Sequence, residues 1–115
     1  MVEAEVRKLI VEHGKITFAE FMNTVLFSPK GGYYTSGFAS MGVDYYTAPT
    51  THPIFGALIS LQLEQLWQLM DCPSPFYVVE VGAGNGALGR DIIAHVSQLH
   101  SGFGRALEYV VADYN

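Results

Sequence analysis

Three glycines at alternate positions, Gly82, Gly84 and Gly86, lie in the stretch VVEVGAGNGALGRDI, between an apolar run and a run with helical spacing. A glycine has no Cβ, so the backbone can turn sharply there and pass close to a ligand. The helix that follows presents unpaired N–H groups and the positive end of its dipole to the turn. The pattern predicts a binding site for a nucleotide or a carboxylate.

Two acids near these glycines bear on which nucleotide is bound, because Gly82-x-Gly84-x-x-Ala87 also satisfies the dinucleotide fingerprint. Glu80 lies in an otherwise apolar run, where an unpaired carboxylate is costly. Its partner is either the ammonium group of S-adenosylmethionine, which NAD lacks, or a water, a backbone N–H or a buried arginine. Asp113 ends the next apolar run, where an acid can accept hydrogen bonds from the ribose hydroxyls of either cofactor.

A βαβ unit is predicted to position these residues. The run FYVVEV, residues 76–81, is typical of a parallel strand covered on both faces. Residues 87–99 have helical spacing, HSGFGRA turns the chain, and residues 107–113 form the second strand, with a right-handed crossover. The helix is expected to point Leu88, Ile92, Ile93 and Val96 inward.

Upstream of this unit the pattern predicts three helices and one long loop. The first covers residues 2–13 and stops at Gly14. The second starts at a capping box of Thr17 and Glu20 and ends near Ser28. Residues 31–51 have no regular period, but their five aromatic residues argue against disorder. A third, nearly buried helix has Pro53 in its first turn and one face made of Phe55, Ile59, Leu63, Leu66 and Met70.

The composition restricts the compartment and the partners. The formal charge is −5 with only six Lys and Arg, which argues against nucleic acid as a partner. The longest mostly apolar segment, residues 54–63, is too short to span a bilayer, so no membrane association is expected. One cysteine suits a reducing compartment, and MVEAEVRKLI is neither a signal nor a transit peptide. We therefore expect a cytoplasmic protein, and we predict no metal site.

Three blocks together resemble a known family: ITFAEFMNTVLFSPKGGYY, then VDYYTAPTTHPIFGALISLQLEQLW, then FYVVEVGAGNGALGRDI. In order and spacing they are similar to the N-terminal part of the MidA-type S-adenosylmethionine-dependent methyltransferases. That family includes the mitochondrial complex I assembly arginine methyltransferase. The resemblance implies an α/β, Rossmann-like class I methyltransferase fold, here a helical extension (residues 1–72) followed by the start of the cofactor domain (residues 73–115).

The resemblance also implies S-adenosylmethionine as cofactor, a protein substrate methylated on arginine, and roles for individual residues. The chain departs from the family at Val43 and Tyr45, and at Thr50 and His52, where the family often has Glu and Ser. His52 is interpreted as a residue at the start of a helix rather than an acid or base. The implied cofactor residues are Glu80, Gly82, Gly84, Gly86 and Asp113, and the implied loop over the site contains Tyr33, Tyr34, Asp44, Thr47 and Pro49.

The length of the chain sets a further expectation. The family sheet has about seven strands, and this chain stops after the second, so we interpret it as an N-terminal fragment that is inactive alone, and its catalytic residues are not predicted. Its strand edges would be unpaired and could mediate self-association as a homo-oligomer. Two alternatives stay open: a fragment of an NAD-binding oxidoreductase, and a non-catalytic interaction module.

Overall fold

The computed structural model describes residues 1–36 and 45–113. The chain divides into two compact units, Met1–Tyr45 and Tyr46–Tyr114. The second unit includes helices upstream of the βαβ unit as well as the βαβ unit itself. The predicted division into a helical extension, residues 1–72, and a cofactor domain, residues 73–115, stays a prediction.

The first unit contains the two predicted N-terminal helices. Helix α1 covers Val2–His13 and ends at Gly14, whose φ is 74°. Helix α2 covers Phe18–Phe27. Its capping box forms as predicted, because the Thr17 N–H donates to the Glu20 carboxylate at 2.7 Å and the Glu20 N–H donates to Thr17 Oγ1 at 3.2 Å.

The chain after α2 folds back onto that helix. The N–H of Tyr33 donates to the carbonyl of Val25 at 2.8 Å, and the N–H of Tyr34 donates to that of Leu26 at 2.9 Å. The Tyr34 ring stacks on Phe27 with centroids 5.6 Å apart. Tyr33 and Tyr34 are therefore held against α2, which fits the expectation that the aromatic residues of this segment seek burial.

The second unit begins with two helices. A short helix, α3, covers Ala48–Thr51 inside the range predicted to be irregular, and the Thr47 N–H donates to Thr50 Oγ1 at 2.9 Å. Helix α4 covers Ile54–Leu69, and Pro53 is its N-cap rather than part of its first turn. In the described residues no helix is both long and apolar enough to cross a membrane.

The buried face of α4 differs from the predicted one. Its buried residues are Gly56, Ser60 and Trp67, whereas Leu66 is 51% and Met70 is 61% exposed. A Cβ on Gly56 would lie only 2.6 Å from the Cβ of Asp91 in the facing helix. The two helices meet along small residues because these allow the closest approach. Of the expected apolar face, Ile59 and Leu63 are half-buried and pack against the core, so the prediction is wrong only for its C-terminal part.

A parallel βαβ unit completes the second unit, as predicted. Strand β1 covers Phe76–Val81 and pairs in parallel with β2, Leu107–Ala112. Helix α5 covers Ala87–Val96, three residues shorter than expected. A further short helix, α6, covers Phe103–Ala106 within the segment expected to be a turn.

The core of the second unit lies on one face of the sheet. Phe103 is fully buried, with its ring centroid 5.5 Å from that of Trp67 and 5.8 Å from that of Phe76. The prediction that both strand faces are covered is wrong for the described residues, since α4, α5 and α6 cover only one. Ile93, predicted to point inward, is 51% exposed. The exposed sheet face contains Tyr77, Val79, Val81 and Val110.

Candidate functional site

The glycine turn leads from the end of β1 into α5. Gly82, Gly84 and Gly86 have φ values of 74°, 58° and 74°, in the left-handed region where other residues are strained. The Gly82 N–H donates to the carbonyl of Ala112 at 2.7 Å, which extends the sheet by one bond. A Cβ at Gly82 or Gly86 would meet no atom within 4 Å. The turn is therefore bordered by open space, as a binding site requires.

Asp113 comes directly after β2, and the structure brings it to the glycine turn. Its Oδ2 accepts a hydrogen bond from the Gly84 N–H at 2.6 Å. This bond joins two predicted site residues that lie at the carboxyl ends of neighbouring parallel strands. Ligands of open α/β sheets bind at such strand ends. Asp113 is exposed, so its side chain is also accessible to a ligand.

Glu80 has a partner that the sequence interpretation did not name. Its Oε2 accepts a hydrogen bond from the hydroxyl of Tyr109, on β2, at 2.8 Å. Burial, and next the bond to Glu80, raises the pKa of Tyr109, so the hydroxyl stays protonated and acts as the donor. Strand alternation is the signal that could have revealed the pair, since Tyr109 and Glu80 lie on the same face once β1 and β2 are in register.

The start of α5 supplies donors to the same place. Gly86 is its N-cap and has no side chain to satisfy the first N–H groups. The side chain of Asn85 accepts the Ala87 N–H at 3.0 Å, so one of these donors is used within the turn. Two carboxylates and a helix N-terminus thus surround an open turn. The carboxylates accept hydrogen bonds and the helix N-terminus donates them, a combination that fits a nucleoside with free ribose hydroxyls and a positively charged tail.

The predicted loop over the site is only partly described. Tyr33 and Tyr34 belong to the first unit, and Thr47 and Pro49 belong to α3 and its cap in the second. Asp44 lies outside the described residues. The placement of these five residues over the site stays a prediction.

His52 has the structural role that was favoured for it. Its Nδ1 accepts the Ile54 N–H at 3.0 Å at the start of α4. The side chain is exposed and caps a helix that has no other side-chain cap.

Two other features lie outside this site. Asp91 lies on α5, and its Oδ1 accepts a hydrogen bond from Arg90 Nε at 2.9 Å. Its buried Oδ2 has no hydrogen-bond partner among the described residues. A cleft of about 530 Å³ lies at the far end of α5 from the glycine turn, between Val96, His100 and Arg105. Across residues 1–36 and 45–113, no three His, Cys, Asp or Glu side chains are grouped to hold a metal ion.

Comparisons with known proteins agree with this geometry. A family profile described as S-adenosyl-L-methionine-dependent methyltransferase matches residues 58–115. The chain is 41% identical over 91 residues to the mitochondrial protein arginine methyltransferase NDUFAF7 homolog of Drosophila melanogaster, covering 77% of this chain and 21% of that protein. It is 36% identical over 89 residues to human mitochondrial NDUFAF7, covering 76% and 20%.

A solved structure is also similar. A methyl transferase from Burkholderia thailandensis, bound to S-adenosyl-homocysteine, superposes with a TM-score of 0.79 at 26% sequence identity. The match covers 99% of this chain and 30% of that one. The expected Rossmann-like fold is therefore confirmed, and the chain spans about a fifth of the length of the curated relatives.

The predicted cytoplasmic localisation is wrong. The curated relatives from fly, rat and human are all mitochondrial proteins by name. The prediction depended on the first ten residues being the start of the whole translated protein, where a transit peptide would lie. A chain that spans a fifth of its relatives does not establish that.

Proposed function

Because this chain belongs to a family of S-adenosyl-L-methionine-dependent methyltransferases, we propose that its glycine turn binds S-adenosylmethionine within a protein methyltransferase. The observation that carries the proposal is the bond of 2.6 Å between Gly84 and Asp113. It places an open glycine turn and an acid side by side at the strand ends, where a nucleoside needs them.

Each residue of the site has a definite task in this proposal. Asp113 accepts hydrogen bonds from the ribose hydroxyls, and Glu80 faces the ammonium group of the amino-acid tail. The glycine turn lets the backbone approach the cofactor without a side chain between them. The cofactor supplies an activated methyl group for in-line attack by a substrate nitrogen. The chain contributes mainly position and charge to that step.

The proposed methyl acceptor is an arginine side chain of a protein. The support is that the curated relatives are named as protein arginine methyltransferases. Acceptor-binding strands would lie beyond the second strand of the fold, so we propose that the 115 residues alone bind cofactor without turnover. We also propose that the exposed apolar sheet face and the unpaired strand edges let these residues self-associate.

Isothermal titration of the chain with S-adenosylmethionine, S-adenosyl-homocysteine and NADH tests the cofactor assignment. We expect saturable binding of the first two and none of NADH. Binding of NADH alone would contradict the proposal and support a dinucleotide-binding site instead. If none of the three ligands binds, the proposal that these 115 residues bind the cofactor is wrong.

Turnover needs its own assay. Incubation of the chain with methyl-labelled S-adenosylmethionine and arginine-containing protein substrate should transfer no label. Label transfer by the 115 residues alone would contradict the proposed inactivity while supporting the cofactor assignment.

A further inference from the structure

Tyr109 reaches Glu80 along the covered face of the sheet. In the parallel register Val78 is paired with Tyr109 and Glu80 with Val111. Tyr109 therefore lies two residues before the partner of Glu80, and both side chains are on the same face of the sheet. Its ring extends toward the carboxyl end of the sheet and its hydroxyl donates to Glu80 Oε2 at 2.8 Å. Both residues are half-buried.

Helix α5 closes over this pair at a glycine. Gly89 is buried, and a Cβ there would lie 2.8 Å from Tyr109 Cε1 and 3.4 Å from Glu80 Oε2. Any side chain at position 89 would push the ring away. The absence of one allows the helix backbone to hold Tyr109 against Glu80, so the geometry of the pair is fixed from three sides: β1, β2 and α5.

The bond occupies one of the two carboxylate oxygens of Glu80. Oε2 is bound by Tyr109, and no hydrogen bond to Oε1 forms within the described part of the chain. A carboxylate accepts through both oxygens, so a donor that fixes one also orients the other. Burial and the bond to Glu80 raise the pKa of Tyr109, which keeps the phenol a donor at neutral pH.

We propose that Tyr109 is a positioning residue of the cofactor site: its hydroxyl holds the Glu80 carboxylate so that Oε1 faces the ammonium group of the cofactor. This inference rests on the proposed binding of S-adenosylmethionine. Tyr109 itself does not contact the ligand. Its effect must therefore depend on Glu80 and must be confined to ligands that carry the amino-acid tail.

A double-mutant cycle on the full chain tests this dependence, with S-adenosyl-homocysteine and adenosine as the probes. Tyr109→Phe removes only the hydroxyl and should weaken S-adenosyl-homocysteine binding about 3- to 10-fold, the range for one hydrogen bond. Adenosine, which has no ammonium group, should change less than about 2-fold. In a Glu80→Gln background the effect of Tyr109→Phe on S-adenosyl-homocysteine should shrink to about 2-fold or less.

Two further variants keep the outcome clear. Tyr77→Phe removes a hydroxyl from the exposed face of the same sheet and should leave both affinities unchanged. Gly89→Ala displaces the Tyr109 ring, because the new Cβ would lie 2.8 Å from Tyr109 Cε1 but at an ordinary contact distance of 3.4 Å from Glu80 Oε2. It should reproduce the ligand profile of Tyr109→Phe. NMR spectra of the backbone amides establish that each variant is folded.

The outcomes separate the two proposals. If the unaltered chain binds neither probe, the proposed function fails, and this inference fails with it. If the chain binds both but Tyr109→Phe weakens adenosine as much as S-adenosyl-homocysteine, or acts equally with and without Glu80, then Tyr109 is only structural. The proposed function would survive that result.

Discussion

At the scale of single residues, Asp113 has two possible tasks. It closes the glycine turn through Gly84, and in the proposed function it also accepts the ribose hydroxyls. Asp113→Ala should weaken S-adenosyl-homocysteine and adenosine by similar amounts, about 1–3 kcal/mol, since both carry the ribose. Asp113→Asn keeps an acceptor for the Gly84 N–H and should lose less. Calorimetric titration measures both, and unchanged affinity in Asp113→Ala would exclude the ribose contact.

Gly84 allows a second test at this scale. Gly84→Val places a branched side chain at a φ of 58°, beside the proposed ligand, and should abolish detectable S-adenosyl-homocysteine binding. Gly14→Val is the matched control, because Gly14 also has a positive φ, 74°, but has open space around it at the end of α1. The control should lose similar stability and keep the affinity. Normal S-adenosyl-homocysteine binding by Gly84→Val would show that the ligand does not lie beside Gly84.

The sequence was sufficient for the residues of the turn but not for their partners. Glycine spacing and acids at strand ends indicated that Gly84 and Asp113 lie close together, because the carboxyl ends of parallel strands meet at one edge of the sheet. Their binding role, and that of Glu80, stays a prediction. Tyr109 was missed because a tyrosine in an apolar strand is ordinary. Its bond to Glu80 depends on strand register and on the close approach of α5 at Gly89, and both are tertiary properties.

At the scale of elements, the capping box makes α2 sensitive to acid. The backbone N–H of Thr17, and next its hydroxyl, lowers the pKa of Glu20 below its usual 4.5. A carboxyl group with a lowered folded pKa stabilises the fold above its unfolded pKa, and this contribution is lost as pH falls through the folded pKa. NMR spectra of the backbone amides should therefore show fraying of the N-terminal end of α2 as pH falls below about 4.5.

Glu20→Gln keeps the reciprocal bonds without the charge and should remove that acid-dependent loss. Glu12→Gln, an exposed acid of α1, is the control and should leave it in place. Fraying of α2 with the same pH dependence in Glu20→Gln would show that another group is responsible.

The contact between α4 and α5 gives a second prediction for elements. Gly56→Ala should gain up to about 1 kcal/mol in helix propensity. The new Cβ would lie 2.6 Å from Asp91 Cβ and 3.1 Å from the backbone of α5, and such overpacking costs about 1–3 kcal/mol. Because the overpacking cost exceeds the propensity gain over most of these ranges, we expect net destabilisation, roughly 1 kcal/mol or more, in urea unfolding.

The control for that variant is Gly102→Ala. A Cβ at Gly102 would have its nearest neighbour, Trp67 Cη2, at an ordinary 3.6 Å. This variant should change stability by less than about 0.5 kcal/mol. A Gly56→Ala chain as stable as the original would mean that the helices can move apart at no cost.

Elements were predicted well where their signals are local. Gly14 and the capping box at Thr17 bounded α1 and α2 because caps act over one turn of chain. The predicted face of α4 was right for Ile59 and Leu63, which pack against the core, but the fully buried positions are Gly56, Ser60 and Trp67, because close packing against α5 favours small residues. Phe103 was missed as a core residue because its segment is rich in glycine, yet its ring fills the space between Trp67 and Phe76.

At the scale of the whole molecule, the uncovered sheet face is the surface at which we propose self-association. Val79 is 60% exposed on that face, and Val11, on α1 of the other unit, is 83% exposed. If the sheet mediates the proposed self-association, Val79→Lys should lower the average mass measured by light scattering at high concentration. Val11→Lys adds the same charge elsewhere and should not. Equal effects of the two variants would attribute association to net charge instead.

The bond between Gly84 and Asp113 also has a consequence for synthesis on the ribosome. Its two residues are 29 positions apart, so the turn cannot close when β1 and α5 first emerge. At about 5–20 residues per second, Asp113 is synthesised roughly 1.5–6 s after Gly84. During that interval the nascent chain has the strand and the helix but an open turn. We therefore expect the full affinity for a nucleoside only after the end of β2 has left the exit tunnel.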